Sequence, residues 1–244
     1  LHAHVKAMAP IHDAIRAGDV EAVRRELAAG VSPDLRAKTL NSFPYDLPNS
    51  IPVWTPLCIA LVYRESYESA LEMVLLLIEA GADVDAVCDA DDADAFRYTA
   101  IWLAAHSGRR NLVAALIAAG ASTSLHVEGG SSPARRPVEL NFNGHGYFGH
   151  QLHILWQLLR AGSPLPRLDR AKWMQPDTSS TSSTSKFNAA AVDYVNAVAA
   201  AGGYVPYEKA HRAKLATIFA PKFTWVPAEI IPTIVAFWAH LGHP

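Results

Sequence analysis

Eleven histidines are the first place to look for chemistry in this chain. His145, His150 and His153 form the tightest group, the last two at i,i+3 spacing at or near a helix start. Three imidazoles make a zinc-type ligand set, the basis of one reading as a His-based metal-dependent enzyme. No cysteine accompanies them, and Gly144, Gly146 and Gly149 leave the loop geometry unfixed, so a surface-loop role is the simpler reading. The same glycines lack the lysine and following Ser/Thr of a phosphate loop. No serine sits in a Gly-x-Ser-x-Gly turn. Cys58 falls inside an apolar run and is predicted to be a small buried thiol. Asp89, Asp91, Asp92 and Asp94 lack the glycine and terminal glutamate of a calcium loop, so a solvated acidic loop is expected. Arg135 and Arg136 are too small a basic patch for nucleic acid. The residues therefore predict no catalytic group, no cofactor and no metal, with the three histidines as weak metal candidates.

Composition narrows the classes further. The chain has 244 residues, 50% apolar and 18% charged, with 42 alanines and a formal net charge of −2. Such a chain does not bind polyanions by bulk electrostatics and is too apolar to be disordered throughout. No apolar run reaches the roughly 18 residues of a membrane helix. Two cysteines, Cys58 and Cys88, are too few for a disulfide scaffold. That predicts an intracellular, reducing compartment, cytoplasm or organelle interior. Leu1–Pro10 carries no signal-peptide core and no starting Met, which suggests a fragment or a processed chain.

Self-comparison shows what must position these residues. Gly30, Gly81, Gly120, Gly162 and Gly202 each end a short tail such as Ile78-Glu79-Ala80 or Ile117-Ala118-Ala119. At offsets −8, −7, −4 and −3 stand Met73/Val74/Leu77/Ile78, Leu112/Val113/Leu116/Ile117, Ile154/Leu155/Leu158/Leu159 and Tyr194/Val195/Val198/Ala199. Ala22/Val23/Glu26/Leu27 is the weaker first copy. Gly242 has Ile234, Val235, Trp238 and Ala239 at the same offsets. This is one amphipathic helix stripe repeated six times, each closed by a left-handed C-cap glycine. The spacings are 51, 39, 42, 40 and 40 residues.

A shorter inner helix precedes each outer one. Thr55-Pro56-Leu57-Cys58-Ile59-Ala60 is the clearest, and Thr99–Ala105 matches it. Thr-Pro-Leu-x-x-Ala, a turn, an outer helix and then Gly81-Ala82-Asp83-Val84-Asp85 resemble the ankyrin repeat. The resemblance is strong in the first three units and weaker after Gly129. It implies an all-α, ankyrin-type helical repeat solenoid of about six helix pairs with long loops. Units are expected near 1–32, 55–85, 98–124, 136–165, 166–203 and 204–244, the last as a C-terminal cap. His12 falls where the family has its histidine and is expected to be a structural hydrogen bonder; Trp102 stands there in the third unit.

Every spacing exceeds the family period of about 33 residues. The extra residues, 33–54, 86–97 and 125–135, lie where the family places its hairpin fingers; 176–186 is a Ser/Thr-rich loop. The resemblance implies a non-catalytic scaffold or accessory subunit that binds a protein partner, with no nucleic acid and no small-molecule substrate. Candidate contacts are Phe43, Tyr45 and Trp54 in the first finger, Tyr63 and Arg64, Arg97 and Tyr98 in the second finger, and His106. The aromatics of the long finger could instead fold back and seal it. An alternative is a substrate adaptor of a ubiquitin ligase that docks through the helical pair 206–241.

Overall fold

The computed structural model describes residues 9–38, 52–62, 69–90, 98–125, 133, 151–166 and 184–240. Most of these residues are helical. Three helix pairs come first: α1 (Pro10–Ala17) with α2 (Val20–Ala28), α3 (Pro56–Val62) with α4 (Ala70–Glu79), and α5 (Ala100–His106) with α6 (Arg110–Ala118). The inner helices pack side by side in the order α1, α3, α5, and the outer helices in the order α2, α4, α6. Helix α7 (Gln151–Arg160) continues the outer row against α6. Then come α8 (Thr184–Ala200), α9 (Tyr204–Phe219) and α10 (Ile231–His240), with α9 touching α7, α8 and α10.

Local chemistry explains the helix boundaries. Thr55 Oγ1 accepts from Cys58 N–H at 3.3 Å and Thr99 Oγ1 accepts from Trp102 N–H at 3.4 Å, so each threonine caps an inner helix. Asp19 does the same for α2, accepting from Ala22 N–H at 2.9 Å. Each outer helix ends in a glycine with φ between 82° and 91°, at Gly30, Gly81, Gly120, Gly162 and Gly202. At Gly81 the next residue, Ala82, donates its N–H to Leu77 O (2.9 Å), closing a Schellman turn. The same bond recurs from Val31, Ala121, Ser163 and Gly203.

The stripes of the second to fifth units bury most of their large apolar residues. Met73, Val74, Leu77, Leu112, Val113, Leu116, Ile154, Leu155, Leu158, Val195 and Val198 all belong to one core. Ala60, Ala104 and Ala105 are fully buried, which lets neighbouring inner helices approach closely.

The finger bases add strands to an otherwise helical fold. β1 (Ala37–Lys38), β2 (Pro52–Trp54), β3 (Val87–Ala90) and β4 (Tyr98–Thr99) form an antiparallel sheet in that order. Ala37 pairs with Trp54 and Val87 with Thr99 within each hairpin; Val53 pairs with Asp89 between hairpins. These short strands lie where the resemblance places hairpin fingers, and the fold remains mostly helical. At the bases of the two fingers, backbone groups of one strand satisfy those of the next.

Cys58 is also corrected. It is fully buried but disulfide-bonded, and the chain's other cysteine is Cys88. The expectation of a reducing compartment took both as thiols, so that support falls away.

Candidate protein-interaction surface

His12 shows how the first inner helix is tied down. Its Nδ1 accepts from Ala9 N–H (3.3 Å), which leaves the proton on Nε2 to donate to Leu35 O at 2.8 Å. The ring is fully buried, and burial holds its pKa below 6.5. It is the structural hydrogen bonder expected from the sequence.

Past each C-cap glycine, polar residues link one unit to the next. Asp83 N–H donates to Asp34 Oδ1 (2.9 Å), and Ser122 N–H donates to Asp85 Oδ1 (2.7 Å). Farther along, Thr123 Oγ1 donates to Ala161 O (3.2 Å) and Ser163 Oγ donates to Thr123 O (3.0 Å). These bonds tie successive units to one another. Arg36 reaches across the sheet to Val87 O at 2.7 Å. Together Asp34, Arg36, Thr55, Asp83, Asp85, Ala86 and Val87 line an open cleft of about 400 Å³ at the finger bases.

One residue of this framework was not legible in advance. Arg109 is buried, and its guanidinium donates to Ala60 O at 3.5 Å, near the C-terminal end of α3. A cation there meets the negative end of the helix. The available signal was its register: Arg109 follows Gly108 where Asp19 follows Gly18. A cation at an N-cap position has another reason to be there.

The interaction candidates divide. Tyr98, Trp102 and His106 stand at i, i+4 and i+8 from β4 along α5. Their rings lie 4.3 Å and 5.2 Å apart, the second pair stacked. Tyr98 and His106 are half-buried, and Trp102 is buried between them. Trp54 is not available as an anchor: at the end of β2, next to α3, it is 4% exposed and belongs to the core. Phe43, Tyr45, Tyr63, Arg64 and Arg97 lie outside the described residues.

Of the three metal candidates, His145 and His150 also lie outside the described residues. His153 is half-buried on α7, with its ring 5.3 Å from Trp156. No group of three His, Cys, Asp or Glu is placed to hold a metal ion among the described residues.

Farther along, tyrosines form the seam of α7, α8 and α9. Tyr194 and Tyr207 meet edge to face at 5.5 Å. Burial, then the Glu208 carboxylate, pushes the Tyr204 hydroxyl up to about 12. Burial also raises Tyr194 well above the usual phenol range.

Residues 54–89 match the family model of the ankyrin repeat. They span Trp54 at the end of β2, the pair α3–α4 with its Gly81 cap, and most of β3. The chain carries an ankyrin repeat. Ankyrin repeats are generally non-catalytic modules that mediate protein binding. No curated protein matches the chain. Among the described residues no helix is long and apolar enough to cross a membrane. The match covers the unit whose inner helix has the fullest Thr-Pro-Leu-x-x-Ala motif. The flanking pairs α1–α2 and α5–α6 repeat its packing without the full motif.

Proposed function

We propose that the chain is a non-catalytic scaffold or accessory subunit that holds a protein partner against its fingers and inner helices. In this reading residues 1–244 form one ankyrin-type array of about six helix pairs. The observation that supports it is the continuity of one face. Two successive finger bases share a single sheet, and the Tyr98–Trp102–His106 ladder runs from that sheet along α5. Rigid aromatics beside a polar cleft are the usual anchors of a protein interface. Tyr45, Arg97, Tyr98 and His106 are the contacts this reading assigns.

Affinity capture with the full chain, followed by mass spectrometry, tests it. Tyr45→Ala with Arg97→Ala is expected to remove the main partner while the melting curve stays unchanged. Leu75→Ala, on the exposed outer face of α4, is expected to leave capture intact. Equal capture by all three chains refutes the assignment to the fingers.

A further inference from the structure

The hairpin made by α9 and α10 carries a second, different surface. At its connecting end stand Ile218 (45% exposed), Phe223 (38%), Trp225 (80%), Ile230 (47%) and Ile234 (41%). Ile218 lies in the last turn of α9, Phe223, Trp225 and Ile230 in the connection, and Ile234 in the first turn of α10. The rings of Phe219, Phe223 and Trp225 form a chain, at 5.9 Å and 6.2 Å. The connection is braced: Pro221 and Pro227 flank it, and Val226 N–H donates to Phe223 O at 2.9 Å. An apolar group of this size left outside marks a docking surface.

Its charges decide what docks there. Arg212 is held by Glu208 in an i,i+4 pair. That leaves Lys209, Lys214 and Lys222, all exposed, with Glu229 as the only acid between residues 209 and 235. A second copy would bring the same lysines face to face, because a two-fold interface repeats one patch on both sides. The occupant is therefore anionic. A side chain 80% exposed projects from the surface instead of lining a groove, which suits a soft planar boundary. Tryptophan settles at the headgroup level of a bilayer, phenylalanine buries at the acyl boundary beside it, and nearby lysines add attraction to acidic lipids. We propose that this end of the hairpin docks on an anionic lipid surface, with Trp225 and Phe223 entering the interface and Lys214 and Lys222 meeting the headgroups.

Co-sedimentation of the full chain with vesicles tests this directly. The vesicles are phosphatidylcholine alone and phosphatidylcholine with phosphatidylserine. Binding is expected only to the second kind, and it is expected to weaken as salt rises. Replacing both lysines by glutamate is expected to lower affinity by at least about fivefold per lysine. Phe223→Ala with Trp225→Ala is expected to lower it by about tenfold or more, and Trp225→Ala alone, at an 80% exposed side chain, is expected to lower it severalfold with an unchanged thermal melt. No binding to either vesicle, equal binding to both, or binding that ignores these substitutions overturns the proposal. So does a dimer in sedimentation velocity that Trp225→Ala breaks, or an acidic protein captured through Trp225 in the absence of vesicle binding.

Discussion

The pair α3–α4 and the pair α9–α10 read alike in sequence but differ in what they bury. Both place apolar residues at the same offsets before a glycine. In α3–α4, Leu57, Ile59, Leu61, Met73, Val74 and Leu77 are at most 1% exposed, because a helix pair lies on each side. In α9 no residue is fully buried, although Tyr204 and Tyr207 lean on the core; in α10 Ile231 and Val235 turn inward, while Ile234 and Ile230 just before the helix face out. An apolar stripe has the capacity to pack, but a neighbour must be present for it to bury. This pair leaves Trp225, Ile230 and Ile234 in water, which suits the lipid-docking role proposed for it.

Core truncations are the strongest way to break that comparison. Leu77→Ala is expected to cost about 3 kcal/mol, the range for a fully buried leucine. Ile234→Ala, already half in water, is expected to cost less than about 1 kcal/mol. Urea denaturation of the two variants measures both; equal losses would mean that α10 is packed as tightly as α4.

Next in size is the C-cap. Gly81→Ala meets no atom within 4 Å, so its only cost is the left-handed backbone at φ 86°. About 1–2 kcal/mol is expected, read as a lower midpoint at an unchanged denaturant slope. A larger loss, or an altered slope, would point to a role beyond ending the helix.

The links between units come below that. Thr99→Val keeps the shape of the side chain and removes the oxygen that caps α5, for a loss of about 1 kcal/mol. Asp34→Ala removes the bond from Asp83 N–H and is expected to cost about as much. A double variant with Gly81→Ala shows whether that link and the turn it joins act as one unit.

Acid is the weakest handle. His12 is held neutral by burial, so the unfolded chain takes up its proton first. Stability is full above about 6.5 and falls as pH drops below that value toward the lower folded pKa. Thermal melts across that range are expected to show the fall, and His12→Ala is expected to remove its share while lowering stability at neutral pH. An unchanged acid slope in the variant would place the titration elsewhere.

Much of the fold was legible because its signals are local. The glycine tails, the stripes before them, the threonine caps at 55 and 99 and the histidine at 12 all concern residues within one or two helical turns. The surface was less legible. Trp54 and Tyr98 look equally available as aromatic finger residues, yet one is in the core and the other starts a half-exposed ladder. Which way a strand's side chain faces depends on the register of a partner strand many residues away.

The amino-acid sequence by itself determined where helices start, where they stop and which face of each is apolar, because backbone dihedrals and helical period act over a few residues. Only the tertiary structure decided that the finger bases pair into one sheet, that Cys58 is bonded, that Arg109 caps α3 and that Ile234 faces out. Those outcomes depend on which distant segment arrives beside each group. Burial and hydrogen bonding reward that proximity, and no local pattern encodes it.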